Sequence, residues 1–276
     1  MNFMKLPDEY AKKDSYFHII PVAYEGEVTF GKGAAKGPAA ILEASEHLEY
    51  YDEECKNEPF LHGVYVCPEI SEDSEESVIL AVSDAVYHVV GFPIVLGGDH
   101  SVTIGAVRAQ PDDVGVLILD AHSDFRDSWN GSASNHACVA KQASKKHDVL
   151  VVGVRSQDAD EDAQIKACEN MDTIKMHEWS LETFRKKIAS LPSKIYLSID
   201  VDCFDPSFIR NTGTPEPGGF TYREVLSMLR ILFAEKEVVG ADIVEFAPNE
   251  HYRAESFSLA RLLYKLCAYK VDSSKD

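Results

Sequence analysis

Eight short apolar segments, separated by stretches with helical periodicity, run almost the whole length of this 276-residue chain. Two typical segments are "VGVLILD" at 114–120 and "VLVVGVRS" at 149–156. Apolar runs of this length, rich in β-branched residues, predict buried strands. The other predicted strands cover residues 17–24, 63–68, 92–98, 173–176, 194–200 and 238–246. Near-continuous apolar strands that alternate with helices indicate a parallel sheet covered by helices on both faces.

The segments between the strands carry helical patterns. One predicted helix covers residues 37–51 and has Pro38 in its first turn, where proline is favoured. Four more are predicted at 74–90, 181–191, 221–235 and 254–269. No internal repeat, low-complexity tract or Pro/Ser-rich linker interrupts the alternation. We therefore expect one α/β domain over residues 1–276.

The charge balance narrows the range of partners. Lysine and arginine number 27 against 46 acidic residues, which gives a net charge of −19. This composition disfavours nucleic acid or an anionic membrane as partner and mildly favours a small cationic substrate. The six cysteines are scattered without a metal-site spacing, and Cys203 is expected to be a buried thiol. Because the N-terminal segment is charged and has no signal-peptide core, we predict a cytoplasmic protein.

Acids and histidines follow several of the predicted strands at the point where each strand ends. The strand at 114–120 leads into Asp120, His122 and Asp124, whose side chains would share one side of an extended chain. His100 in "GGDHS" follows the preceding strand, and "DVD" (residues 200–202) closes a later one. Ligands bind beyond the carboxyl ends of parallel strands, so these residues predict a site.

The collected set indicates a metal centre. Two imidazoles and four carboxylates exceed the three protein ligands of a single catalytic zinc, but they suit two divalent ions that share carboxylates. Oxygen-rich ligation with some imidazole favours Mn²⁺. Each motif alone has a simpler interpretation, as a capped turn or, for "DVD", a phosphoryl-transfer site. The six candidate ligands are His100, Asp120, His122, Asp124, Asp200 and Asp202.

Longer motifs around these residues resemble a known family. "GGDHS", "DAHSDFRD" and "SIDVDCFDP" followed by "GTPEPGG" are similar to the signatures of the ureohydrolases, the arginase and agmatinase family, and the similarity extends from about Pro21 to the final helix. The resemblance implies a three-layer α/β/α fold with an eight-stranded, mostly parallel sheet. It also implies two Mn²⁺ ions per chain, hydrolysis of a guanidinium to urea and an amine, and a homo-oligomer, commonly a trimer or a hexamer.

The resemblance also implies a division of labour among the ligands. His100 and Asp124 would bind one manganese ion, and His122 and Asp202 the other. Asp120 and Asp200 would bridge the pair, and a water acidified by the two cations would supply hydroxide. Asp99 and Ser101, which flank His100, are expected to orient neighbouring groups or cap a helix.

Two further residues match catalytic positions of the family. His136, in "SASNHACVA", would contact the bound substrate and donate a proton to the departing amine. Family members often have glycine after this histidine, whereas this chain has Ala137. Glu245, in "ADIVEFAP", would hold the guanidinium through paired hydrogen bonds. Glu216 is expected to be a loop residue.

Three segments resemble the agmatinase branch: "GVRS" (153–156), "TPEPGG" (214–219) and "VEFAP" (244–248). The loop at 126–135 offers no clamp for a substrate carboxylate beyond Arg126. We therefore predict hydrolysis of agmatine to putrescine and urea, a step of polyamine biosynthesis. The alternatives are 4-guanidinobutyrate, arginine or guanidine as substrate, a single-zinc amide deacetylase on the same fold, and an inactive scaffold subunit.

Overall fold

A computed structural model describes residues 2–274 of the chain. Its strands are β1 Phe17–Pro21, β2 Val64–Val66, β3 Phe92–Leu96, β4 Val114–Leu119, β5 Val149–Val154, β6 Met171–Lys175, β7 Lys194–Asp200 and β8 Glu237–Val244. Its α-helices are α1 Gly37–Ser45, α2 Glu75–Tyr87, α3 Val102–Arg108, α4 Val139–Ala143, α5 Ala159–Ala167, α6 Leu181–Ser190, α7 Tyr222–Glu235 and α8 Ala254–Ser273.

All eight strands belong to one parallel sheet, in the order β2-β1-β3-β8-β7-β4-β5-β6. The last two strands of the chain, β7 and β8, lie between β3 and β4. This insertion places the carboxyl ends of four strands side by side at the centre of the sheet. A crevice for a ligand is expected at such a point.

Helices cover both faces of the sheet. Alternate strand residues point to opposite faces, so Leu117 and Leu119 pack into one apolar cluster while Val116 and Ile118 pack into the other. The first cluster includes side chains of α1, α6, α7 and α8, and the second includes side chains of α2, α3, α4 and α5. The predicted three-layer, eight-stranded parallel architecture is confirmed.

The predicted elements differ from the observed ones mainly at their ends and in three helices. Strand β1 stops at Pro21, three residues before the predicted end, and α1 stops at Ser45, six residues early. Helices α3, α4 and α5 were not predicted. Helix α3 is buried almost all round and α4 has only five residues, so neither shows an amphipathic period. Helix α5 is mostly polar, and its only clear signal is a capping box from Asp158 to Glu161.

Within residues 2–274, no helix is long and apolar enough to cross a membrane.

Candidate metal centre and substrate cleft

The six predicted ligands meet at the carboxyl ends of the four central strands. His100 follows β3, the segment 120–124 follows β4, and Asp200 and Asp202 lie at the end of β7. We call these residues the ligand cluster: His100, Asp120, His122, Asp124, Asp200 and Asp202. Five of them are almost fully buried, and His122 is partly exposed. The cluster is therefore the floor of a site and not a group of surface acids.

The first half of the ligand cluster surrounds His100. Its Nδ1 atom lies 3.2 Å from Asp120 Oδ2, 3.0 Å from Asp124 Oδ2 and 3.2 Å from Asp200 Oδ2. The ligand atoms of His100, Asp120 and Asp200 are close enough together to hold one metal ion. Asp124 also approaches His100 here, although it is not part of the group with metal-ligand spacing, and its pairing with His100 as a ligand remains a prediction.

The second half surrounds His122. Its Nδ1 atom lies 2.9 Å from Asp202 Oδ2 and 3.6 Å from Asp120 Oδ1. These three residues form a second group with metal-ligand spacing. Asp120 belongs to both groups, as a bridging carboxylate must, whereas the geometry places Asp200 with the His100 group only.

Backbone amides fix the aspartates so that one oxygen of each remains directed into the cluster. Asp120 Oδ1 accepts from the N–H of His122 at 2.6 Å, and Asp200 Oδ1 accepts from the N–H of Asp202 at 2.8 Å. Asp202 Oδ1 accepts from the N–H of Ala121 at 3.0 Å. The Oδ2 atoms of Asp120 and Asp200 face His100 and that of Asp202 faces His122, so the chain presents ligands that are already oriented.

The electrostatics of the ligand cluster fit a bound cation. Burial and neighbouring carboxylates raise the pKa of Asp124 to about 7 and raise the pKa of Asp200 well above its usual range. His100 Nδ1 and Asp120 Oδ2 are buried and make no properly aligned hydrogen bond. A buried carboxylate group without a cation is costly. Two divalent ions would neutralise the four carboxylates and use these unpaired atoms as ligands.

A buried polar network behind the sheet edge orients His100. Its Nε2 atom lies 3.0 Å from Ser198 Oγ, and Ser198 donates to Asp242 Oδ1 at 2.6 Å. Thr103 donates to the other oxygen of Asp242 at 3.0 Å. Because the Ser198 hydroxyl donates its hydrogen to Asp242, its oxygen can only accept from the Nε2–H of His100. The Nδ1 lone pair of His100 then remains available for a metal. The sequence contained a signal for this network, because Ser198 and Asp242 are polar residues inside apolar strands.

Glu245 lies directly after β8, beside the ligand cluster. Its Oε1 accepts from the backbone N–H of His100 at 2.7 Å, and its own N–H donates to Gly98. Burial and the nearby Asp99 raise the pKa of Glu245 well above its usual range. Glu245 and Asp124 both have positive φ angles, 66° and 46°. Strained backbone of this kind occurs where a site requires a particular side-chain direction.

His136 borders the cleft above the ligand cluster, as the first residue of a 3₁₀ turn that leads into α4. Its Nε2 lies 3.2 Å from Thr29 Oγ1. Burial, together with His100 and His122, lowers the pKa of His136 to about 4. It belongs to neither group with metal-ligand spacing, which separates it from the ligands.

A cleft of about 370 Å³ opens above the ligand cluster, and its wall includes Val28, Trp129, Gln157 and Glu216. Arg126 also borders it, but its NH1 pairs with Asp158 at 2.8 Å and its guanidinium stacks 4.6 Å above Trp129. No other lysine or arginine lines this cleft among the residues that the structure describes.

The residues next to the metal motifs have structural contacts. Asp99 accepts from the N–H of Gly26 at 2.6 Å and from Ser101, so it fixes the backbone at Gly26, whereas the Ser101 side chain does not cap α3. Cys203 is fully buried, as predicted. Arg155 was not singled out in the sequence, yet its NH2 donates to the backbone oxygens of Asp202 and Glu216. It joins the end of β7 to the segment that carries Glu216.

Known proteins share the sequence pattern and the fold of this chain. Residues 15–268 match the model of the Arginase family. The N(1)-aminopropylagmatine ureohydrolase of Synechocystis is 34% identical over 280 residues, which cover 95% of this chain and 91% of that protein. The agmatinase of Pyrococcus horikoshii is 30% identical and covers 91% of both chains.

A solved structure, agmatine ureohydrolase of Thermoplasma volcanium, superposes with a TM-score of 0.91 at 28% identity, covering 100% of this chain and 96% of that one. The extent of the family match, together with the relatives' identity over nine-tenths of the chain, establishes the family. The chain belongs to the arginase family and is a ureohydrolase.

Proposed function

We propose that this protein is a dinuclear manganese hydrolase that cleaves the guanidinium group of agmatine to putrescine and urea. The observation that carries the proposal is the pair of ligand groups that share Asp120 at the floor of a cleft. Six ligand residues in two groups favour this chemistry over that of a single-zinc amide deacetylase. The oxygen-rich donor set is typical of Mn²⁺ sites.

Each residue of the site has a separate task in this proposal. When bound, two divalent cations supply hydroxide at neutral pH. Glu245 holds the planar guanidinium so that its carbon faces the floor of the cleft. Asp124, which accepts hydrogen bonds as a carboxylate, orients the attacking oxygen. His136 would pass a proton to the amine nitrogen as the C–N bond breaks, and because its pKa is lowered it would take that proton from the attacking water. The unproductive alternative, an inactive scaffold, would have no use for Glu245 and His136.

The charges of the cleft favour a substrate with a cationic tail. A carboxylate, as in arginine or 4-guanidinobutyrate, would need a free cation, and Arg126 is already paired with Asp158. N(1)-aminopropylagmatine is a second candidate, because relatives from Synechocystis and Thermus thermophilus carry that name at 34% and 35% identity. Both compounds place an amine nitrogen four carbons from the guanidino group.

A urea-release assay tests the function. The manganese-loaded protein is assayed with agmatine, N(1)-aminopropylagmatine, arginine, 4-guanidinobutyrate and guanidine, and its bound metal is counted by elemental analysis. We expect urea from one or both of the first two compounds and two ions per chain. Urea from arginine alone, or a single zinc ion with amide hydrolysis, would contradict the proposal.

We also propose that the whole chain acts as one domain and assembles as a homo-oligomer.

A further inference from the structure

The wall of the cleft contains a buried oxygen without a partner. Gln157 Oε1 is inaccessible to solvent and accepts no hydrogen bond. In the free protein the orientation of this amide is fixed, since Nε2 donates to the carboxylate of Asp162 at 2.9 Å. The oxygen is therefore an acceptor with no donor, which is unfavourable in a buried position. Since solvent does not reach Oε1 in the free protein, a ligand donor satisfies it only when the Gln157 amide turns towards the cleft that this residue lines.

Glu216 lines the same cleft and has a free carboxylate. Among the residues that the structure describes, no side chain or backbone group pairs with it. Its backbone is firmly held: Arg155 NH2 donates to the carbonyl of Glu216 at 2.8 Å, and Arg155 Nε donates to the carbonyl of Pro217 at 3.1 Å. Arg155 precedes Gln157 by two residues, so one guanidinium connects the two segments that carry the free acceptors.

The spacing suits a substrate anchored at Glu245. A Cβ on Gly213 would lie 3.4 Å from Glu245 Oε2, which places Gly213 beside the guanidinium site. Glu216 follows three residues later, so its Cα is at most about 11 Å from that of Gly213. Standard bond lengths put the amine nitrogen of extended agmatine about 7 Å from its guanidinium carbon. The chain separation between Gly213 and Glu216 is thus comparable with the length of the substrate, and both residues line the same cleft.

We propose that Glu216 and Gln157 form a subsite for the amine nitrogen of the substrate, with Glu216 as the residue that selects an ammonium over a carboxylate. This inference rests on the proposed function and names the part of the substrate that is recognised. Glu216 provides the opposite charge, and Gln157 Oε1 accepts one N–H once its amide turns towards the cleft. Trp129 and Val28 offer apolar surface to the methylene chain. Glu216 is thus a specificity residue and not merely a loop residue.

The test compares two substrates that differ only in the amine. Agmatine carries the ammonium, and n-butylguanidine has the same chain length without it. Glu216→Gln should lower kcat/KM for agmatine about 10- to 100-fold, the usual worth of a hydrogen bond to a charged group, and leave n-butylguanidine unchanged. Gln157→Met should act in the same direction with a smaller loss. N(1)-aminopropylagmatine should follow agmatine.

A matched control removes the effect of net charge. Glu169 is exposed in the turn between α5 and β6, at the opposite edge of the sheet, and Glu169→Gln changes the net charge by the same amount. It should leave both substrates unaffected. An equal loss on both substrates in Glu216→Gln, or an unchanged agmatine rate, would overturn the subsite.

A binding measurement separates the subsite from the proposed function. Calorimetry is performed with putrescine and with n-butylamine on the wild type and Glu216→Gln. The subsite predicts that putrescine binds the wild type at least about 10-fold more tightly than it binds the variant, while n-butylamine does not distinguish them. If no guanidine yields urea but putrescine shows this difference, the function fails and the subsite stands. If urea is released and putrescine shows no difference, the subsite fails alone.

Discussion

Among the residues that the structure describes, two groups of charged side chains with buried members invite comparison, because one of them contains its own cations and the other does not. The second group, which we call the lysine network, consists of Asp52, Glu54, Lys265 and Arg230. Lys265 on α8 is 3% exposed, and its Nζ lies 2.9 Å from Asp52 and 2.9 Å from Glu54. Arg230 pairs with the other oxygen of Glu54 at 2.8 Å. Two carboxylates thus meet two cations, and the network is neutral.

The ligand cluster has no such balance. Its four aspartates meet two imidazoles, and no lysine or arginine side chain pairs with their carboxylates among the described residues. The lysine network lowers the pKa of its acids, whereas the pKa values of Asp124 and Asp200 are raised. A buried acidic group therefore indicates a metal site when the chain does not itself supply the positive charge.

The largest expected effect comes from the residue shared by both ligand groups. Asp120→Ala removes a ligand from each group, so we expect loss of bound metal and of urea release in a protein that still folds. Elemental analysis and circular dichroism are the measurements, with the exposed Asp112→Ala as control. Two ions still bound per chain in Asp120→Ala would contradict the dinuclear assignment.

Substitution of His136 tests whether this residue is a metal ligand, because it lies beside the ligand cluster but outside both groups with metal-ligand spacing. His136→Asn should retain both ions and lower turnover by about 10²- to 10⁴-fold, the usual worth of general acid–base catalysis. Metal content and kcat are measured on the same preparation. A fall to one ion per chain would make His136 a ligand.

Removing the ammonium of Lys265 from the lysine network should lower the free energy of unfolding and leave metal binding intact. Lys265→Met leaves Asp52 buried without its ammonium partner, which typically costs about 3–5 kcal/mol of unfolding free energy. Urea unfolding of the metal-free protein measures it, and the exposed Lys186→Met is the control. The folded fraction should still bind two ions. A loss below about 1 kcal/mol would mean that the network is not what neutralises Asp52.

The sequence predicted the sheet, and the meeting of the six candidate ligands at its carboxyl ends, far better than the surroundings of the site. Apolar periodicity reports which residues are buried, and the carboxyl-end rule then brings separate motifs such as "GGDHS" and "DVD" together. It does not report pairwise contacts, so the link from His100 through Ser198 to Asp242 was missed. The free acceptor on Gln157 was invisible for the same reason. It results from the position of Asp162, five residues away on a helix that was not predicted.

That missed network gives a smaller, graded effect. Ser198→Ala removes the acceptor that orients His100, and Ser198 is a positioning residue without metal contact. We expect about 10- to 100-fold weaker metal binding at the His100 position, measured by competition with a chelator. The ion held by His122 and Asp202 should be unaffected, which a structural collapse would not spare. Equal weakening of both ions would contradict this role.

The smallest effect concerns the acid stability that the lysine network contributes. Burial alone would raise the pKa of Asp52, but the N–H of Cys55 and the ammonium of Lys265 outweigh it and lower the pKa. The pKa of Glu54 is also lowered, because Lys265 and Tyr269 outweigh its burial. The folded protein therefore holds fewer protons here than the unfolded chain does, so this stabilisation is present above the unfolded pKa values of about 4 and is lost as the pH falls below them.

The measurement compares the wild type with the neutral triple variant Asp52→Asn, Glu54→Gln, Lys265→Met, both metal-free. The titration of the ligand cluster is common to both proteins and cancels in the difference between their unfolding free energies. The unfolding free energy of the wild type minus that of the triple variant should decrease as the pH falls from 5 towards 3. If it grew, the carboxylates of the lysine network would have raised pKa values, and Lys265 would not be the cation that separates this network from the metal site.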